Sequence, residues 1–267
     1  MRATAFAATL AAATLSLAGC ATSPTGRTQL MMVSDAQMSQ MGITAFNDMR
    51  KQGKFVDAPR QRAYATCVAN ALIAVLPPPW NANQWEVQII GDDTANAFAL
   101  PGGRIGVNQG MFKVATNQDQ LAVVLGHELA HVVARHGAER VSDNYLAQGA
   151  VAAGTIYAGT RGTNTGYAAA ALGVGAETLF LLPFSRTQES EADVLGQRYM
   201  AEAGFDPRAA ATLWQKMGAQ GGSKPPAFLS THPSSARREQ TLQQQAQQLM
   251  PVYQQARANH HDPECRL

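Results

Sequence analysis

The stretch Gly126-His127-Glu128-Leu129-Ala130-His131 sets two imidazoles four residues apart, with a carboxylate directly after the first. That spacing is useful only on a helix, where side chains at i and i+4 are neighbours with Cβ atoms about 5–6 Å apart. His127 and His131 can then close on one ion at roughly 2.0–2.1 Å, a distance and donor type that suit zinc. Glu128 is turned about 100° from His127. It therefore stands beside the ion, where it can take a proton from a water that the metal activates. With six histidines in 267 residues, a chance match to this triple is rare.

Asn117 and Gln120 have capping-box spacing, so the helix is expected to start after Thr116 or Asn117 and to run to about Ala147. Leu121, Val124, Leu125, Ala130 and Val132 give it a core face. His136 lies nine residues past His127, about 180° around such a helix. It reads as a structural or outer partner, and the sequence Val-Val-Ala-Arg before it shows no turn.

A catalytic zinc takes three protein ligands and leaves one position open. The third is expected from a second amphipathic helix over Gln188 to Met200, where Glu189 and Asp193 stand four apart on one face. Glu189 can ligate, and Asp193, one turn on, can accept an N–H from a ligating histidine. Glu191 is offset by about 200° from Glu189 and is expected to be solvated.

The rest reads as scaffold. Ser34 with Gln37 opens a helix that Gly53 ends, and Pro59 opens another that stops at Pro77-Pro78-Pro79. From Gln84 the apolar period becomes two, which predicts strands over Trp85 to Ile90, Asn96 to Leu100 and Arg104 to Val107, with a turn at Pro101-Gly102-Gly103. The last strand, short and interrupted by Gly106, is expected at the sheet edge, where an extended peptide can add through unpaired backbone groups. Gly149 to Leu182, rich in Gly, Ala and Thr, reads as a flap, a membrane-surface contact or a small-residue helical hairpin. A final Gln-rich helix is expected to start near Ser235 and to break at Pro251. The fold class is α+β, mainly helical. A net charge of +2 with 15% charged residues supplies no basic field, so nucleic acid is not expected as a partner.

Arg2, the apolar run Ala3 to Leu17 and the small residues before Cys20 read as a signal segment over 1–19. The Leu17-Ala18-Gly19-Cys20 ending resembles a bacterial lipobox, which implies cleavage and lipidation at Cys20. Ala21 after it implies sorting to the outer membrane, with the chain on the periplasmic face. Residues 20–33 are then expected to be a polar tether and 34–267 one domain. Cys67 and Cys265 remain, either as a disulfide, which the oxidising periplasm favours, or as two separate thiols.

Four segments together carry a resemblance: His127 to His131, Glu189 to Asp193, Asn96 to Gly103, and Ser230-Thr231-His232-Pro233. They resemble the gluzincin metallopeptidase family that contains HtpX and the CAAX prenyl proteases, and with the lipobox its periplasmic lipoprotein branch, typified by LoiP and BepA. The resemblance implies a zincin-like domain holding one Zn2+ through His127, His131 and Glu189, with Glu128 as general base and proton donor. It implies that His232 and Arg238, or Arg237 in its place, stabilise an oxyanion or gate the metal. Asn96, Phe98, Gly102, Gly103, Arg104, Ile105, Gly106 and Val107 would meet the peptide. The implied role is proteolysis of unfolded or misassembled envelope proteins. The rival is an assembly factor or binding lipoprotein with structural zinc and a latent protease.

Overall fold

The computed structural model describes residues 19–159, 183–219, 227–232 and 236–267. Strands β1 (Cys20–Thr22) and β2 (Thr28–Leu30) form an antiparallel hairpin. Helices α1 (Asp35–Lys51) and α2 (Pro59–Ala74) precede a sheet of β3 (Glu86–Ile90), β4 (Ala97–Leu100) and β5 (Arg104–Asn108). Helices then follow: α3 (Met111–Val114), α4 (Gln118–Val133), α5 (His136–Gly159), α6 (Arg186–Glu202), α7 (Ala209–Ala219), α8 (Ala227–Thr231) and α9 (Ala236–Ala258). The mainly helical α+β class is the one expected.

Local chemistry sets the helix starts. Ser34 and Gln37 form a reciprocal capping box on α1, as do Ser185 and Gln188 on α6. Pro59 sits at the start of α2, and the Asn117 side chain accepts the N–H of Gln120 at 2.9 Å. Helix α4 is buried without a break from Gln120 to Val133. A helix buried on all sides is the centre of its domain, and α4 packs against α6, α2, β4 and α7. Leu121, Leu125 and Leu129 fill its surroundings. His127, Glu128 and His131 are thereby held at core depth, where polar groups need partners.

The sheet corrects one expectation. Its order is β3-β5-β4, with β5 parallel to β3 and antiparallel to β4. Arg104, Ile105, Gly106 and Val107 are therefore paired on both sides and cannot receive a further strand. The reason lies in the turn: Gly102 and Gly103, at φ of 84° and 74°, fold β5 back onto β4. β3 then takes the other flank of β5. The strand left open beside α4 is β4, which contacts that helix directly.

Three further expectations change. The metal helix does not run to Ala147: Arg135 adopts a left-handed φ of 59°, and α5 starts afresh at His136. Pro251 does not break α9, which continues to Ala258 with the proline on an exposed face. Residues 20–30 are not a loose tether but a hairpin docked on the helices, because Gln29 donates to the Ala134 carbonyl at 2.8 Å and Arg27 pairs with Glu139 and Glu191. Cys67 of α2 and Cys265 near the C-terminus are joined, with Cα atoms 5.7 Å apart. The signal segment up to Ala18 and residues 160–182 lie outside the described residues, while 149–159 continue α5. Among the described residues no helix is long and apolar enough to cross a membrane.

Candidate metal centre

The centre begins with a helix crossing. Gly126 of α4 faces Gly196 of α6 so closely that a Cβ on Gly196 would lie 2.7 Å from the His127 backbone nitrogen. Side chains larger than hydrogen would hold the helices apart. This approach brings Glu189 and Asp193, on α6, against the histidines of α4.

His127, His131 and Glu189 converge with His232, which follows α8, and their ligand atoms all lie within 4.8 Å of one another. His127 Nε2 is 3.1 Å from His131 Nε2 and 3.4 Å from Glu189 Oε2, and His131 Nε2 is 3.5 Å from Glu189 Oε1. His232 Nδ1 lies 2.8 Å from Glu189 Oε1 and 3.2 Å from His127 Nε2. A tetrahedron with arms of about 2.0–2.1 Å has edges of roughly 3.3–3.4 Å, so these spacings fit a zinc ion. Glu189 Oε2 and Glu128 Oε1 are buried without a hydrogen bond of good geometry; Arg238 Nη1 lies 3.0 Å from the first and His232 Nε2 3.2 Å from the second. One metal site of nitrogen and carboxylate donors is thus present, and zinc is the ion that suits it.

Charge is arranged to match. Burial works against the Glu189 carboxylate, yet His127, His131 and His232 hold it well below the usual range, so it stays anionic. Burial pulls His131 well down, which keeps its imidazole neutral and ready to ligate. His127 also resists charge through burial, but Asp193 and Glu189 hold it up at about 9, so it must give up a proton to take a metal ion. Burial raises Glu128, against the pull of His232 and His127, as a base in a closed site requires.

Each histidine of α4 has a partner behind it. His127 Nδ1 is 3.1 Å from Asp193 Oδ1, the place expected for Asp193. Arg238 donates to both Asp193 oxygens at 2.5 and 2.8 Å, lies 3.0 Å from Glu189 Oε2, and stacks over Trp214 at 3.7 Å. Arg238 therefore holds Asp193 and Glu189 from behind the donor set; these contacts neither supply nor oppose the oxyanion or metal-gating role expected for it. The Arg237 side chain lies outside the described residues. His131 Nδ1 meets His136 Nδ1 at 2.9 Å, and His136 Nε2 meets Glu191 Oε2 at 3.1 Å. Glu191 is buried rather than solvated, because the N-terminal hairpin covers the side of α6 that it faces.

In front of the metal donors lies an open cleft bordered by Asn96 to Pro101, Glu128, His131, Arg140, Phe184 and His232. Ala99 of β4 borders the cleft together with Glu128. Of the eight expected peptide contacts, Asn96 and Phe98 border the cleft, and Gly102 to Val107 do not. Asn96 Oδ1 is buried with no partner. His232 Nε2 stands 3.2 Å from Glu128 Oε1, and both residues border the cleft. Phe184 stacks on His131 at 3.8 Å, and the Arg140 guanidinium lies 4.0 Å over its ring. Burial lowers Arg140 to about 10. Neither Phe184 nor Arg140 was legible from spacing, since neither belongs to a periodic metal or acid-base pattern.

A buried H-E-x-x-H helix crossed by a glutamate helix, beside an open strand edge, defines a zincin-type metallopeptidase domain. The profile described as Peptidase family M48 matches residues 59–246, and the chain belongs to that family. Over 163 residues it is 41% identical to the mitochondrial metalloendopeptidase OMA1 of Schizosaccharomyces pombe, covering 60% of this chain and 46% of that protein. Over 234 residues it is 31% identical to the mitochondrial metalloendopeptidase OMA1 of Bos taurus, covering 82% and 44%. Over 233 residues it is 28% identical to the beta-barrel assembly-enhancing protease of Escherichia coli K12, covering 84% and 47%. The chain thus spans about half the length, or less, of these relatives.

Proposed function

We propose that the chain is a zinc-dependent endopeptidase of the bacterial envelope that hydrolyses misfolded or misassembled periplasmic and outer-membrane proteins. The observation that carries this reading is Glu128, set at core depth between the donor set and the open edge of β4. When bound by His127, His131 and Glu189, zinc polarises a carbonyl and makes water nucleophilic near neutral pH. Glu128 receives the proton of the attacking water and returns it to the leaving amine. β4 takes the substrate as an added antiparallel or parallel strand, and Asn96 Oδ1 accepts one of its N–H groups. Since β-augmentation reads backbone more than side chains, the substrate class is unfolded chain rather than a particular sequence.

Relatives named for mitochondria and for β-barrel assembly leave the compartment to the N-terminal sequence. There Leu17-Ala18-Gly19-Cys20 favours lipidation at Cys20, and Cys20 is exposed on the hairpin. Lipid attachment would place the domain on the periplasmic face of the outer membrane.

One observation favours a latent resting form of this enzyme. His232 supplies a fourth donor beside His127, His131 and Glu189, and four protein ligands make a closed site, whereas three leave a position for chemistry. Withdrawal of His232 would then free both the donor position and Glu128. The test compares degradation of an unfolded outer-membrane protein by wild type and Glu128→Gln. Wild type should cleave and the variant should bind zinc without cleaving. Equal cleavage by both would remove Glu128 from the mechanism.

A further inference from the structure

We infer that Arg27, on the N-terminal hairpin, is a positioning residue for zinc ligand His131, acting through Glu191 and His136. The inference rests on the metal reading above. His131 Nε2 is the nitrogen turned to the donor set, 3.1 Å from His127 Nε2 and 3.5 Å from Glu189 Oε1. Its Nδ1 must then carry the ring proton. That N–H points at His136 Nδ1 across 2.9 Å. His136 Nδ1 is therefore the acceptor, and the His136 proton sits on Nε2, where it donates to Glu191 Oε2 at 3.1 Å. Each ring has one donor and one acceptor, so a single tautomer choice satisfies the whole chain.

Glu191 is in turn fixed from outside the helices. Arg27 Nε donates to its Oε2 at 3.1 Å, and the Thr25 hydroxyl donates to its Oε1 at 2.7 Å. The same arginine grips Glu139 through its other nitrogens, with Nη2 2.7 Å from Oε2. His136 and Glu191 are fully or nearly buried, which makes the direction of each bond matter. Were Glu191 not held, His136 could take the other tautomer and present a proton to His131 Nδ1. His131 could then not keep its own Nδ1 proton against it.

The break before His136 serves this geometry. Without the left-handed Arg135, His136 would continue α4 and face away from His131. The two zinc-ligating histidines thus have different outer partners. His127 relies on Asp193 and Arg238, both within the helical domain, and His131 relies on a residue of the hairpin that begins at Cys20. A disturbance of the hairpin therefore reaches His131 through this relay.

The experiment uses the full chain and reads zinc affinity by chelator competition, and the visible spectrum of the cobalt-loaded protein, for wild type, Thr25→Val, Arg27→Lys, Arg27→Met, Glu191→Gln and His136→Phe. Loss of an outer partner typically lowers metal affinity about 10–100-fold. Glu191→Gln, His136→Phe and Arg27→Met should each fall in that range and shift the cobalt bands, with Arg27→Lys closer to wild type and Thr25→Val weaker in effect. Arg27→Met combined with His136→Phe should be no worse than His136→Phe alone. Additive losses in that pair, or unchanged affinity and bands in folded Glu191→Gln and Thr25→Val, would overturn the relay even if Arg27→Met does not fold. A wild type that binds no zinc would instead overturn the metal reading itself.

Discussion

Gly126 and Gly196 meet where α4 crosses α6, and a Cβ on Gly196 would stand 2.7 Å from the His127 nitrogen and 2.8 Å from the Gly126 carbonyl carbon. The obstacle is backbone, which cannot rotate away. Gly196→Ala must push the helices apart at the level of the ligands. It should destabilise the fold by about 1–3 kcal/mol. Zinc affinity should drop with it, because Glu189 and the histidines sit on the two helices being separated. Thermal unfolding of the metal-free protein and chelator competition read the two effects. A destabilised variant with unchanged affinity would show that the crossing distance does not set ligand geometry.

His232 lies 2.8 Å from Glu189 and 3.2 Å from Glu128, so it engages both the donor set and the base. His232→Ala should retain one zinc per chain through His127, His131 and Glu189, and should raise the kcat for an unstructured peptide several-fold. A quenched fluorescent peptide reports the rate, with metal content measured on the same sample. A fall in kcat with zinc retained would assign His232 to the transition state and not to latency.

Asp193 keeps the His127 ring in place and is itself held by two bonds from Arg238. Asp193→Asn keeps the shape but removes the charge that favours a proton on His127 Nδ1. Zinc affinity should fall about 10–100-fold. Arg238→Met should be worse for stability, by about 3–5 kcal/mol, since it leaves buried carboxylates without their cation. Chemical denaturation and zinc competition distinguish the two outcomes.

Acid should loosen the hairpin. Burial disfavours the Glu191 charge, but Ser23, Thr25 and His136 hold its pKa at about 2, against 4.5 for a free glutamate. Glu139 is likewise lowered, by Arg27 and Gln188, against its burial. As pH falls below 4.5 the unfolded chain takes up protons that the folded one refuses, so stability is complete above that value and drains away towards about 2. Urea unfolding between these limits should show a shallower decline for Glu191→Gln than for wild type. Parallel declines would mean that Glu191 does not carry this dependence.

Patterns with a fixed period were readable from the chain, and tertiary choices were not. His127, His131 and Glu189 follow from helical spacing and from the ligand count of zinc, and the capping-box spacings at Ser34 and Asn117 mark where helices begin, whereas the cap at Ser185 sets the start of α6 ahead of the expected Gln188. Strand order was misread, since two glycines in a turn do not say which flank β3 will take. Residues 27 and 191 carried no local signal, because their meeting depends on a hairpin folding back across more than 160 positions. On a continuous helix His136 is a structural residue or an outer partner; its contact with His131 requires the left-handed Arg135, a conformation that non-glycine residues seldom advertise.

Anomalous diffraction at the zinc edge from crystals of the zinc-loaded protein tests the metal centre most directly. A single peak should appear among His127 Nε2, His131 Nε2 and Glu189, at roughly 2.0–2.2 Å from each. A peak elsewhere, or none at full zinc occupancy in solution, would contradict the assignment of these three residues as the ligands.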